Sequence, residues 1–202
     1  MNSTIYLEGG GDSKELHVRC REGFRKLLEK CGFVGRMPRL SACGGRNEVF
    51  DDFKRALSKN RNNAYIAMWI DSEDPMSDIK KAWDHLKNVS TVDKWDMPQG
   101  ANDEQVLFMT TCMETWIIAD RDTLKAHYGS KLRESGLPSP INIERQLRHD
   151  IQDKLEHATR NCSNAYEKGK RSFVILSKLN TDTLKRDLPS FARVRRILED
   201  KL

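Results

Sequence analysis

The chain has no apolar run approaching the roughly 20 residues a membrane-spanning helix needs, which argues against an integral helical membrane protein. Its opening, MNSTIYLEGGGD, lacks a basic segment followed by an apolar core, so no leader is expected, and the cytoplasm is the expected location. The five cysteines, at 20, 31, 43, 112 and 162, contain no Cys-x-x-Cys pair, and their odd number leaves at least one unpaired. They read as reduced, mostly buried thiols rather than as a disulfide framework. The five histidines show neither His-x-x-x-His nor His-Glu-x-x-His spacing, which leaves a zinc site without support and a carboxylate-held hard cation still open. Neither the Walker-type G-x-x-x-x-G-K-[ST] loop nor G-x-G-x-x-G with a later ribose acid is present, so both kinds of nucleotide site are disfavoured. Internal repeats, low-complexity tracts and separate linkers are also missing.

What is present fits one globular unit with an embellishment: 202 residues, 38% of them hydrophobic, can bury one sizeable core. The formal net charge of +5 is unevenly placed. Residues 1–142 carry 21 basic and 21 acidic side chains, and residues 143–202 carry 14 and 9. The excess is therefore C-terminal, where it suits contact with a phosphate backbone and equally a solvated helix face.

Ser3-Thr4-Ile5-Tyr6-Leu7 reads as a buried strand stopped by Gly9-Gly10-Gly11. Asp12, with Glu15 three residues on, marks the start of a helix whose stripe is Leu16, Phe24, Leu27 and Leu28, ending before Gly32. A second strand around 39–43 breaks at Gly44-Gly45, and Val49, Phe50, Phe53 and Leu57 then recur at helical spacing. Ala64 to Ile70 is apolar on both faces, as an inner parallel strand must be. A third helix is expected from Ser77 to Lys87, then a polar loop with Pro98 and Gly100, a strand from Val106 to Thr111, and a short helix with a Pro138-Ser139-Pro140 turn within 121–142. From Ile143 the chain looks helical, with Leu147, Ile151 and Leu155 on one face and Phe191, Val194, Ile197 and Leu198 at the end. Alternating strands and helices predict a mostly parallel sheet with helices on both faces.

Ligands of such sheets bind beyond the carboxyl ends of the strands. Glu8 falls just past the first strand, and Asp71 and Glu73 just past the third, so acids distant in sequence are expected at one rim. Asp71 and Glu73, two apart on an extended segment, would face the same side; Asp74 points away unless the turn at Pro75 redirects it. Grouped carboxylates repel, and a divalent cation relieves the repulsion; magnesium, or manganese, suits oxygen ligands and phosphate substrates. Asp and Glu at strand-to-helix turns are also ordinary helix-start residues, and the spacing alone leaves both readings open. The three glycines lead into a helix start that suits a phosphate or simply a tight turn, and Gly44-Gly45-Arg46 carries the same two readings. Lys14 stands near the first of these turns. Glu114, in an apolar stretch with Trp116, needs a partner if buried, with Lys14, Arg21 or a C-terminal lysine as candidates. Tyr166-Glu167-Lys168-Gly169-Lys170-Arg171 is a compact basic segment, either a nucleic-acid contact or a solvated loop.

Taken together, Tyr6-Leu7-Glu8-Gly9-Gly10-Gly11-Asp12, Cys20-Arg21-Glu22-Gly23-Phe24, Ala42-Cys43-Gly44-Gly45-Arg46, Ile70-Asp71-Ser72-Glu73, Cys112-Met113-Glu114-Thr115-Trp116 with Ala119-Asp120, and Tyr166-Glu167-Lys168-Gly169 resemble, in order, the RloG-like family of bacterial proteins. That family is regarded as a divergent relative of the Toprim metal-binding module. The resemblance implies a Toprim-like α/β core over residues 1–142 and a basic helical extension over 143–202 packed on the same domain. It also implies that Glu8, Asp71 and Glu73 are catalytic and hold Mg2+ or Mn2+; Asp74, next in the turn, is a further candidate ligand from its position alone. Lys14, Arg46, Lys168 and Lys170 are the expected phosphate or nucleic-acid contacts, while Glu114, Trp116 and Asp120 are motif residues without an assigned role. Where the Toprim pattern has a second aspartate this chain has Glu73, one methylene longer. The implied function is a magnesium-dependent nuclease or nuclease-like effector in bacterial anti-phage defence, working with a partner ATPase. The alternative is a non-catalytic Toprim-shaped binding or regulatory subunit of an ATPase complex. A small-molecule phosphotransferase has only the fold behind it.

Overall fold

A computed structural model of the chain describes residues 3–60, 64–90, 92 and 94–202. The β-branched and aromatic runs become four strands among these residues: β1 (Thr4–Glu8), β2 (Arg39–Gly44), β3 (Ile66–Asp71) and β4 (Val106–Met109). Each neighbouring pair is parallel, in the order β2-β1-β3-β4. Helices α1 (Lys14–Lys30), α2 (Arg46–Ser58) and α3 (Ala82–Asn88) make the first three crossovers. After β4 the chain is helical: α4 (Met113–Ala119), α5 (Arg121–Tyr128), α6 (Arg148–Thr159), α7 (Ser172–Leu176), α8 (Thr181–Asp187) and α9 (Pro189–Lys201). This is the expected α/β class, with a parallel sheet, helices on both faces and a helical C-terminal extension, an arrangement consistent with a Toprim-like one. No helix among the described residues is long and apolar enough to cross a membrane.

Strand alternation divides the core in two. Ile5, Leu7, Ala67, Trp69, Leu107 and Met109 face α1 and the C-terminal helices. Ile66, Met68, Ile70, Val106 and Phe108 face α2 and α3. The chain steps outward from β1 to β2, then crosses back over to β3, so the order reverses between β1 and β3. The carboxyl ends of these two central strands flank the switch point, where open α/β sheets bind their ligands.

Several expected boundaries move. Ser13, not Asp12, caps α1, its hydroxyl accepting from Leu16 N at 3.4 Å. The third helix starts at Ala82 rather than Ser77, because the Asp78 carboxylate accepts from Lys80 N at 2.8 Å and closes a local turn instead. β4 stops at Met109, two residues short of Thr111. Leu147 does not join the apolar face of Ile151 and Leu155; it precedes α6 and is 48% exposed.

The last 60 residues share the first core with the strands. Phe191 packs edge-on against Trp116, ring centroids 4.9 Å apart, and Arg193 Nη1 donates to Val106 O at 2.8 Å along the β4 edge. Phe191→Ala is expected to cost about 3–5 kcal/mol in chemical denaturation, the range for a buried aromatic. Glu144 accepts from Ser190 N and from the Ser190 hydroxyl at the start of α9. Burial pushes its carboxyl up to about 7, outweighing the Ser190 hydrogen bonds that favour the charged form. A raised folded-state value means stability that is complete below the ordinary carboxylate range and is lost as pH climbs through about 7. Glu144→Gln should therefore flatten the fall in melting temperature between about pH 5 and pH 8; an unchanged slope would assign the titration elsewhere.

Candidate metal centre

Alternation alone would send Glu8 towards α2 with Tyr6, and Asp71 towards α1 with Trp69. A register shift between Leu7 and Glu8, which sets Glu8 opposite Gly44, changes this. Glu8 Oε2 accepts from Asp71 N at 3.0 Å, joining residues 63 apart in sequence. The glycine turn beyond is sterically required at two positions. A Cβ on Gly9 (φ 129°) would lie 2.9 Å from Phe173 Cζ, and one on Gly10 (φ 94°) 2.6 Å from His17 Cδ2.

Asp71 Oδ1 accepts from Met113 N at 3.0 Å. Glu73 is not on an extended segment: β3 has ended, and the residue has a left-handed backbone, φ 69°. Its N–H donates to Thr111 O at 2.9 Å, and this turn, rather than strand alternation, brings its carboxylate back beside Asp71. One oxygen each from Glu8, Asp71 and Glu73 can be chosen so that all lie within 4.8 Å of one another. Asp74 does not join them. Its carboxylate turns to the α3 side and accepts from Ser90 N at 2.9 Å and Ser90 Oγ at 2.8 Å.

A cation enters the cluster from the C-terminal extension. Arg148, the first residue of α6, pairs through Nη1 with Glu73 Oε2, and its Nη2 lies 3.8 Å from Asp71 Oδ2. Burial, followed by the Glu8 and Glu114 charges, holds the Asp71 carboxyl well above the ordinary range; Arg148 and Lys168 pull the other way. Adjacent ligands of Mg2+ stand about 3 Å apart and opposite ones about 4.2 Å, so three acids within 4.8 Å of one another are near enough to close on one hard cation by side-chain shifts on the order of an ångström.

Glu114 is 1% exposed and lines the same cleft. Its partners are not the expected basic residues: Tyr166 Oη donates to one oxygen and Gln152 Nε2 to the other at 3.2 Å. Of the expected phosphate contacts, Lys168 lines the cleft and Lys14 and Lys170 do not. Arg46 is not in the cleft lining but braces the end of β3, with Nη1 donating to Asp71 O at 2.7 Å and its guanidinium 4.5 Å over Trp95. Trp116 is a core residue against Trp69 and Phe191. Asp120 ties helices together, accepting from Thr123 N at 3.1 Å and Asn180 N at 2.7 Å. Arg148 was invisible to spacing arguments, its one signal being the C-terminal basic excess. Tyr166 gave no hint of role because a phenol in a polar segment names no partner.

The family model described as Domain of unknown function (DUF4276) matches residues 7–199. The chain belongs to the DUF4276 family. The match spans Glu8, Asp71, Glu73, Glu114, Arg148 and Lys168, so the whole acidic rim and its cations lie within the family region. No curated protein and no solved structure matches the chain.

A divalent cation at these carboxylates would compete with Arg148 for them, so Arg148→Gln should have opposite effects without and with metal. Without metal the variant should lose about 1–3 kcal/mol, below the usual cost of breaking a buried pair because Arg148 is partly exposed. Mn2+ should restore that loss and bind more tightly than to the parent protein. Thermal melts and calorimetric titration check both; an equal loss with and without Mn2+ would show that the cation does not replace the guanidinium.

Proposed function

We propose that this DUF4276 protein is a divalent-metal-dependent phosphodiesterase acting on nucleic acid, a nuclease or nuclease-like effector that uses Mg2+ or Mn2+ in the cytoplasm. One observation carries the reading: carboxylates from the ends of β1 and β3 converge within 4.8 Å at the switch point of a parallel sheet. A cation bound there would neutralise charge on a phosphodiester and acidify a water towards a nucleophile. Asp71 and Glu73 are the residues to hold it, with Glu8. The half-buried Glu8 side chain, fixed at one oxygen by Asp71 N, has its other oxygen for one of two roles, third ligand to the cation or acid-base group towards the attacking water. Lys168, at the cleft wall, offers a positive charge to a phosphate oxygen. The resemblance of the motifs to RloG-like proteins adds the context of anti-phage defence beside a partner ATPase.

A second reading has its own support. The Arg148 to Glu73 ion pair already neutralises part of the cluster, as a non-catalytic subunit that keeps only the Toprim shape for docking on an ATPase would require. Cleavage of labelled DNA and RNA with Mg2+ or Mn2+, alone and with the partner, separates the two. Activity is expected with either metal, absent in EDTA and reduced at least about a hundredfold in Glu8→Gln, the scale of a lost acid-base or ligand group. Metal binding without turnover on any substrate favours the second reading.

A further inference from the structure

Two acids in the lining of a cleft of about 330 Å³ are sunk: Asp71, of the proposed site, is 6% exposed and Glu114, beside it, 1%. That volume is at the lower end for small-molecule sites. The walls above the carboxylates are mostly apolar, formed by Leu16 of α1, Met109 of β4, Met113 of α4 and Phe173 of α7. The remaining wall is the backbone of Gly9, Gly10 and Gly11, where side chains at the first two would collide with Phe173 or His17. Lys168 supplies the positive charge in the lining.

Continuous duplex is bound across a surface, by basic groups spaced along a backbone that carries a charge every 1.7 Å or so of its axis. Here the lining holds three acids, Glu8, Asp71 and Glu114, and one lysine inside a hollow, so a phosphate in an unbroken duplex laid over the rim stays away from Asp71. A single nucleotide fits differently. Its flat, apolar-faced base suits methionine and phenylalanine walls, and the phosphodiester that joins it to the rest of the strand would meet the cation site beside Lys168, so that water added at phosphorus releases the terminal nucleotide and leaves a shortened strand. Resting on the metal-site reading above, we infer that the cleft takes one terminal nucleotide of a single strand, entering end-on, so that the enzyme works from free ends. The shared chemistry is a nucleoside with one phosphate, whether that phosphate is free, as in a nucleoside monophosphate, or joined to the rest of a strand.

Methyl NMR of the full chain, labelled at its seven methionines, tests this without turnover. Met109 and Met113 report on the cleft, with their signals assigned by exchange to leucine one at a time. With Ca2+ present, a 5′-phosphorylated single-stranded oligonucleotide should shift both signals. The same sequence closed into a circle should bind at least about tenfold more weakly and leave them in place. A nucleoside monophosphate that shifts them as strongly as the linear strand supports the cleft assignment and names the free nucleotide as the source. Equal shifts from linear strand, circle and blunt duplex would overturn end-on entry, and so would no shift from any of them. Mn2+ alone should broaden the two signals. Broadening without a nucleotide response rejects this inference and leaves the metal site standing; no broadening rejects the metal site itself.

Discussion

Like charges packed at the carboxyl ends of β1 and β3 set the terms for everything around them. At 4.8 Å and an effective dielectric near 20, two carboxylates repel by about 3 kcal/mol, and three such pairs together rival the 5–15 kcal/mol that holds a whole domain folded. At least one negative charge must therefore be cancelled. The chain offers three means: a proton on Asp71, whose burial favours the neutral form; the Arg148 guanidinium; and an external cation. The backbone N–H groups of Asp71 and Met113 fix the carboxylates in place but do not remove the repulsion.

This constraint explains why the C-terminal extension is built into the core. Arg148 reaches the cluster only because α6 is anchored by Ile151 and Leu155, both fully buried. The Gln152 and Tyr166 that hold Glu114 come from α6 and the loop after it, while Phe173 of α7 closes over Gly9. Residues 148–173 thus supply both a neutralising charge and one wall of the cleft. The basic excess noted in this part of the chain is partly spent inward, on Arg148 and on Arg193 beneath β4, rather than on a solvent-facing stripe.

β1, β3 and β4 were legible as apolar runs, β3 buried at every position, and the more polar β2 by the glycine pair that ends it. From strands alternating with helices, the parallel sheet and the meeting of Glu8 with Asp71 at its rim could be expected. The details that bring them together could not. The register shift at Leu7/Glu8 and the left-handed turn at Glu73 are long-range backbone adjustments with no periodic trace. The alternation argument for Glu73 reached the right neighbourhood by the wrong geometry. Short-range competition accounts for the misplaced ends: Ser13 caps α1 in place of Asp12, and the Asp78 turn delays α3. Pairings such as Glu114 with Tyr166 need three-dimensional proximity, and residue chemistry favoured a cation there.

Arg148 also bears on which of the two functional readings the architecture favours. A permanent structural pair would be best served by full burial and by donors for every carboxylate oxygen, since a buried charge left partly satisfied is costly. Arg148 instead keeps about a quarter of its side chain in solvent, pairs closely with only one of the acids and stands 3.8 Å from the second. Such a group can swing into water at little cost once another positive charge arrives. On the first reading, a guanidinium freed in this way would be within reach of a phosphate held by a cation at the cluster, and its planar donors match phosphate oxygens. The same residue that stabilises the metal-free protein would then hold the substrate in the loaded one, a double use that a purely structural salt bridge would not need.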